Sequence, residues 1–191
     1  MTAGALLVLA VLAAGCVASW HPAVILRLEA NPWWMVAGVP SVVLGLAAIL
    51  AAASGGHGAN AWVADVASVL AVAVAVGGGR AVTDAVLRGA GSTGIPDITH
   101  PVEPAAAQPG PAPRARPVMR GGAWIGSLER AAVASCLLVG IPEGVAVVLA
   151  IKGLGRYPEL RAPGAAERFI IGTFASLLWA GAAAGVALLL R

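Results

Sequence analysis

Long apolar blocks separated by short polar stretches run through the whole chain. A helix needs roughly 17 to 25 mainly apolar residues to cross a bilayer. Segments close to that length cover residues 3–19, 33–54, 61–79, 121–140, 141–157 and 165–190. We therefore predict an all-α integral membrane protein with six transmembrane helices. The fifth segment spans only roughly 25 Å as a helix, so the pattern leaves open whether it crosses fully.

The third block carries two local signals besides its hydrophobicity. AVAVAV, residues 71–76, alternates like a strand, but a lone strand would leave its backbone groups unpaired in lipid, so we predict a helix. Arg80, Asp84 and Arg88 follow at spacings of four and share one helix face. They predict that the helix continues into water. The run GGGRAVTD, residues 77–84, is Gly-rich but lacks the spacing of a phosphate-binding loop, and we predict a flexible break in the helix there.

Residues 89–120 differ in composition from the rest of the chain. Their seven prolines are Pro96, Pro101, Pro104, Pro109, Pro111, Pro113 and Pro117. Proline removes backbone donors and favours extended, solvated conformations. We predict a disordered Pro-rich linker that joins an N-terminal three-helix half, residues 1–88, to a C-terminal three-helix module, residues 121–191.

Composition agrees with a membrane location. The chain is 59% hydrophobic and 11% charged, whereas soluble domains are about 25% charged. The basic residues do not cluster with base-stacking aromatics, which excludes a nucleic-acid binder. A preference for Arg over Lys, with much Ala, Gly and Val, is typical of a GC-rich bacterial genome. Cys16 ends a run, LAAGC, that resembles a lipoprotein processing site, but the start of the chain lacks a positively charged region; we predict a membrane helix there.

Positive charges near helix ends predict the orientation of the helices. Arg and Lys accumulate on the cytoplasmic side. With a cytoplasmic linker and six alternating helices, only Arg191 lies outside. The basic residues that then lie inside are Arg27, Arg80, Arg88, Arg114, Arg116, Arg120, Arg130, Lys152, Arg156, Arg161 and Arg168. We predict a bacterial inner-membrane protein with both termini external.

The C-terminal half places several charges near one membrane depth, at the cytoplasmic edge. They are Glu129, Arg130, Lys152, Arg156, Glu167 and Arg168. A charge in hydrocarbon costs at least ~2.5–3.5 kcal/mol on insertion scales, so we expect Glu129 or Glu167 to pair with Lys152 or an Arg. Two interpretations stay open. The charges form an ion-pair network that fixes helix register, or they line an ion, proton or substrate path or dock a cytoplasmic partner.

Two further groups of residues are candidates for binding or packing. Asp65 and Glu143 lie near the outer face, either as solvated acids or as an entry site for a cation or proton. The sixth helix carries small residues at spacings of four, which let helix backbones approach closely: Gly172, Ser176, Ala180, Gly181, Ala184 and Gly185. We expect them to pack within one chain, with a homo-oligomer face as the alternative.

Signatures of catalysis are missing from the sequence. His21, His57 and His100 are scattered along the chain, and no Ser-His-Asp, H-E-x-x-H or paired-Cys spacing is present. We therefore expect no metal, no cofactor and no enzymatic activity.

Three charged motifs carry a resemblance. IGSLER (125–130), AIKGLGRYPEL (150–160) and AERFIIGTFAS (166–176) follow the pattern I-G-x-L-E-R, A-x-K-x-x-x-R, A-E-x-x-x-I-G-T. In these motifs the segment 122–191 resembles the C-terminal membrane module of a family of uncharacterised bacterial multi-pass membrane proteins. The resemblance implies the helical membrane architecture and no particular activity.

The function predicted from these observations is non-enzymatic. We expect a scaffold or accessory subunit in the lipid bilayer whose cytoplasmic-edge charges and linker meet a cytoplasmic or membrane protein. The alternative is a small transporter or channel that uses Glu129, Lys152 and Glu167.

Overall fold

The computed structural model describes residues 2–18, 33–53, 61–90, 122–161 and 164–191. Within these ranges all regular structure is helical, which confirms the all-α prediction. The helices are α1 (Thr2–Ala18), α2 (Trp33–Ala53), α3 (Ala61–Ala90), α4 (Gly122–Val139), α5 (Glu143–Arg156) and α6 (Ala165–Leu189), with a 3₁₀ turn at Glu159–Arg161. Residues 91–120 of the predicted linker, the three histidines and Arg27 lie outside the described residues.

Two of the helices described are long and apolar enough to cross a membrane. These segments are Trp62–Ala90 in α3 and Ala165–Leu189 in α6. Shorter apolar stretches occupy Ala3–Cys16 in α1 and Gly38–Ala53 in α2. The 14 residues of α5 extend about 21 Å at 1.5 Å each, less than the ~30 Å of bilayer hydrocarbon. By length and composition, α3 and α6 are therefore the candidate membrane spans.

Helix α3 lies at the centre of the packing. It contacts α1, α2, α4 and α6, and its largest contact is with α6. One hydrophobic core includes residues from all five of these helices, and many of them are alanines. Small side chains let helix backbones approach closely, which increases the dispersion contacts between them. The helices before and after residues 91–120 therefore share one core.

The predicted break at the glycines of α3 is wrong. The helix runs without interruption from Ala61 to Ala90, through all three glycines. Glycine is less favourable than alanine in a helix by about 1 kcal/mol per residue, so packing has to offset this cost. We call Gly77–Gly79 the glycine notch, because its three members each receive a side chain from a different helix.

Each glycine of the notch meets one or two close neighbours. A β-carbon on Gly77 would lie 2.9 Å from the Cβ of Cys16 in α1, and one on Gly78 would lie 2.6 Å from Cζ2 of Trp179 in α6. A β-carbon on Gly79 would overlap with Cδ of Arg130 in α4. The notch is thus a point of close approach for three helices, and a side chain there would displace its neighbours.

A tight turn joins α4 to α5. The left-handed Gly140, with φ of 82°, donates to the carbonyl of Leu137 at 3.2 Å, and the N–H of Ile141 donates to that of Cys136 at 2.9 Å. This pair of hydrogen bonds is the Schellman motif, which ends a helix at glycine. The segment predicted as helix over residues 141–157 is consequently shorter, because the turn and Pro142 precede the helix.

The small-residue stripe of α6 packs within the chain. Ser176, Ala180 and Ala184 are buried. A β-carbon on Gly172 would contact Leu87 and Thr83 of α3, and one on Gly181 would contact Leu137 of α4. A β-carbon on Gly185 would have no neighbouring helix within 4 Å. Apart from Gly185, the stripe therefore faces other helices of the same chain.

Candidate functional site

The two neighbouring charges of α4 point to different helices. Successive residues of an α-helix are rotated by about 100°, so Glu129 and Arg130 point in different directions. Glu129 contacts α5, whereas Arg130 crosses to α3. The charge pair in the sequence is therefore divided between two helix interfaces.

Glu129 forms an ion pair with Lys152 of α5. The Nζ of Lys152 donates to Oε2 of Glu129, and the side chains of Glu129 and Lys152 are only 17% and 20% exposed, respectively. Val145 and Val148 of α5 pack against the core, and spacings of three and four put them on one helix face with Lys152. Since α5 has no fully buried residue and its largest contact is with α4, the ion pair is a main attachment of this helix.

Arg130 is buried between α4 and α3. The residue is 6% exposed. Its Nη2 donates to the carbonyl of Val76 at 3.3 Å and to Oγ of Ser127 at 3.5 Å. Its Nε is buried without a hydrogen-bond partner among the described residues. The glycine notch makes room for the side chain, because Gly79 has no β-carbon.

A second ion pair lies near Arg130 on α3. Arg80 and Asp84, at a spacing of four, pair at 3.7 Å and are more than half exposed. Both lie close enough to Arg130 to act on its charge. Arg88 also lies close enough to Asp84 to act on its charge, so two acids and four cations lie around this region of α3, α4 and α5. Two ion pairs leave the guanidinium of Arg130 without a carboxylate of its own among the described residues.

A small cavity lies between α4, α5 and α6. Its lining residues are Glu129, Arg130, Val133, Val148, Leu149, Lys152, Thr173, Ser176 and Leu177. The space at its centre is about 10 Å³, about what one water molecule needs. Thr173 and Ser176 are buried, and Oγ1 of Thr173 has no hydrogen-bond partner within the part of the chain described. The surface that faces this space is almost wholly apolar, and the space is too small for an organic substrate.

The remaining predicted charges do not join the Glu129–Lys152 pair. Arg156, Glu167 and Arg168 are exposed. Neither Glu167 nor Arg168 forms an ion pair with another described residue. The reason is that the first turn of α6 lies at the margin of the packed region, where its charged side chains face outwards. Of the six charges expected near one depth, Glu129 and Lys152 pair with each other, and Arg130 turns to α3.

These exposed charges lie beside the 3₁₀ turn that connects α5 to α6. The guanidinium of Arg161 stacks over the ring of Tyr157, 5.4 Å from its centroid. We call Arg156, Tyr157, Arg161, Glu167 and Arg168 the junction surface. All five side chains are exposed, and three arginines against one glutamate give these five described residues a formal charge of +2.

Asp65 and Glu143 are the two acids that the sequence predicts near the outer face. Asp65 and Glu143 are both exposed, and no ion pair joins either of them to another described residue. The structure instead brings in Arg191, which the sequence did not single out as a packing residue. Its Nη1 donates to the carbonyl of Leu138 at 2.6 Å and its Nη2 to Oγ of Ser68 at 3.3 Å. Arg191 thus ties together the ends of α3, α4 and α6.

Sequence reasoning also missed two residues that fill the glycine notch. Trp179 is 4% exposed and donates from Nε1 to the carbonyl of Val74 at 3.0 Å. Cys16 is buried and not part of a disulfide. The run of three glycines in an apolar block was the available signal, because glycine permits close backbone approach.

No group of three His, Cys, Asp or Glu side chains within the described ranges is placed to hold a metal ion. No protein-family model matches the chain, and neither a curated protein nor a solved structure matches it. The likeness of residues 122–191 to a bacterial membrane family therefore stays a prediction.

Proposed function

We propose that the chain is a multi-pass protein of the bacterial inner membrane that acts as a non-enzymatic scaffold or accessory subunit. The observation that carries this proposal is the Glu129–Lys152 ion pair. This ion pair holds α4 and α5 of the same chain together. In the same way Arg130 joins α4 to α3. In this proposal the charges of α4 serve helix packing.

The exposed apolar surface supports a membrane location. Leu154 is 75% exposed, Val42 is 73% and Leu178 is 71%, and such residues occur on several helices. Large contiguous apolar surfaces are rare on soluble monomers. Lipid would cover these side chains, and each helix satisfies its own backbone groups, as the bilayer requires. In this proposal six helices lie in the membrane, and the short α5 is accommodated by local thinning of the bilayer.

The junction surface is the proposed docking site for a protein partner. Its arginines are exposed. Under the positive-inside rule the junction surface faces the cytoplasm. A basic surface fits an acidic segment of a cytoplasmic or membrane protein, because complementary charge increases association rate and specificity.

Photo-crosslinking in cells tests this proposal. A photo-reactive residue in place of Arg168 should give one defined protein adduct, and Arg156→Glu with Arg161→Glu should abolish it. A photo-reactive residue in place of Leu178, an exposed apolar position of α6, is the matched control and should give lipid adducts. Lipid adducts alone at both positions, or an adduct that survives the charge reversals, would contradict a docking role.

A second candidate function is transport, because the cavity lies directly beside the Glu129–Lys152 pair. A path for protons or small ions would use the carboxylate of Glu129 as a relay. Glu129→Gln would then abolish flux in proteoliposomes without changing thermal stability. A destabilised Glu129→Gln protein favours the scaffold instead.

A further inference from the structure

The outward face of α2 carries a seven-residue repeat that the packing within the chain does not use. The side of α2 that faces the core presents four buried residues: Val36, Leu44, Ala47 and Ala51. On the opposite side large and small residues alternate at spacings of three and four: Met35, Gly38, Val42, Gly45, Ile49 and Ala52. Large residues and small residues thus each recur every seven positions, which is the spacing of a left-handed pair of helices.

This set of six residues, which we call the α2 seam, is open. Met35, Val42 and Ile49 are exposed, and a β-carbon on Gly38 or Gly45 would have no atom of the described residues within 4 Å. Glycine inside a helix is unfavourable relative to alanine, and no packing within the described chain offsets that cost here. In the glycine notch, by contrast, side chains of the same chain fill the space above each glycine. The seam glycines therefore suit a partner from outside the chain.

The α2 seam is complementary to itself. In a parallel pair of helices each large residue enters a hole formed by four residues of the facing helix. The hole for Val42 is formed by the second copy's residues 38, 41, 42 and 45, and the hole for Ile49 by its residues 45, 48, 49 and 52. Three of the four residues are Gly, Ala or Ser in both holes. Small residues let helix backbones approach closely in lipid, where association depends on packing.

Length also favours a second copy over lipid as the partner of the seam. From Met35 to Ala52 a helix extends about 26 Å, close to the ~30 Å of bilayer hydrocarbon. Large and small residues alternate over this whole length. The outward face of α6 differs, because the exposed Ile170, Phe174 and Leu178 follow one another there at spacings of four without a small residue among them. A surface of that kind offers no holes to a facing helix and is suited to lipid.

We propose that the α2 seam is a homodimer interface, at which a second copy of this chain takes the place of lipid. Two copies inserted in the same direction are related by a twofold axis along the membrane normal, so their α2 helices run parallel. The partner is thus chemically defined as the same six residues on the other copy. This inference rests on the membrane location proposed above and does not depend on the scaffold function.

Disulfide crosslinking of the full chain in cell membranes tests the seam. Val42→Cys places a thiol where the two copies of residue 42 face each other, so mild oxidation should give a covalent dimer. Leu178→Cys in α6 is the matched control, because Leu178 is exposed to a similar degree as Val42, and it should stay monomeric. The wild-type chain, in which Cys16 is buried and Cys136 is half-buried, should also stay monomeric and controls for the native thiols.

Leucine at the seam glycines should separate the two copies. Gly38→Leu with Gly45→Leu fills the holes, and we expect the dimer yield of Val42→Cys to fall at least roughly tenfold. The thermal midpoint of the monomer should not fall, because the new β-carbons have open space within the described chain. Gly185→Leu in α6 is the control, since its β-carbon also has open space, and it should leave the dimer yield unchanged. Leucine is used because alanine, which the seam already holds at Ala52, is itself small.

Three results would overturn the proposal. They are equal dimer yields from Val42→Cys and Leu178→Cys, a dimer yield that survives both leucines, and an equal loss of dimer with Gly185→Leu. Alkaline carbonate extraction of the same membranes separates this inference from the proposed membrane location. A chain that carbonate releases contradicts both the membrane location and a dimer within the membrane, whereas a retained chain without crosslinks specific to the seam contradicts the dimer alone.

Discussion

The side chain of Arg130 in α4 passes over Gly79 of α3, and its Cδ occupies the space that a β-carbon of residue 79 would need. Beyond that point its Nη2 reaches the carbonyl of Val76. A charged side chain can cross the centre of the fold here only because the helix beneath it lacks a side chain. The glycine notch and the buried cation are therefore one packing arrangement.

Gly79→Ala should destabilise the protein. The new methyl group overlaps with Cδ and Nε of Arg130, and overpacking of this kind costs about 1–3 kcal/mol. Gly45→Ala in α2 is the control, because nothing lies within 4 Å of the place that its β-carbon would take, and alanine is favoured in a helix by about 0.5–1 kcal/mol. Chemical unfolding in detergent measures the stability of both variants. Equal stability of the two variants would contradict the role given to the notch.

Trp179→Phe should cost more than the roughly 0.5–1.5 kcal/mol of one hydrogen bond. Phenylalanine loses the hydrogen bond from Nε1 to the carbonyl of Val74 and the part of the indole that contacts Gly78, and the volume left empty adds to the loss. Trp62→Phe provides the comparison, since Trp62 is 60% exposed and its replacement should change stability by less than about 0.5 kcal/mol. The unfolding midpoints of the two variants are compared with that of the wild type. A larger loss of stability in Trp62→Phe than in Trp179→Phe would contradict a structural role for the indole N–H of Trp179.

The helices themselves can be predicted from the sequence because apolar blocks of helical length repeat along it. The pattern predicts the first block over residues 3–19, and α1 covers Thr2–Ala18. The start of α6 at Ala165 also agrees. Composition does not reveal how far a turn shortens a helix, so the pattern predicts a longer α5 than Glu143–Arg156.

The neighbours of the charges are harder to predict. The rotation of about 100° between successive helical residues indicates that Glu129 and Arg130 separate, but not which helix each one meets. The contact of Arg130 with α3 depends on how α3 and α4 pack, and residues on both sides of the linker create it. Likewise, the start of α6 is exposed, and Glu167 has no ion-pair partner among the described residues. In the sequence, however, Glu167 directly precedes an arginine, as Glu129 does.

Glu167→Gln and Glu129→Gln should therefore differ. Glu167 is exposed at the junction surface, and loss of its charge should change stability by less than about 0.5 kcal/mol. Glu129→Gln leaves Lys152 without its carboxylate in a site that is only 20% exposed at the lysine, so it should destabilise clearly more. The thermal unfolding midpoints of Glu167→Gln and Glu129→Gln are measured in detergent. Equal losses of stability would contradict the distinction between paired and exposed acids.

The proposed orientation predicts the side of the membrane for two positions. A topology reporter fused after Arg120 should read cytoplasmic, and one fused after Arg191 should read external, because Arg and Lys accumulate on the cytoplasmic side. The two fusions serve as controls for each other. Reversed readings would show that the positive-inside assignment is wrong.

The ion pair between Glu129 and Lys152 is the central element of the scaffold proposal, and a double-mutant cycle tests it most directly. Stability is measured in detergent for wild type, Glu129→Ala, Lys152→Ala and the double mutant. Removal of one partner of a buried pair costs about 3–5 kcal/mol, and the side-chain exposures of 17% and 20% place the expected loss at the lower end. The cycle should give a coupling energy of at least about 1 kcal/mol. If the two single changes simply add, the residues do not stabilise each other, and the attachment of α5 to α4 through this pair is contradicted.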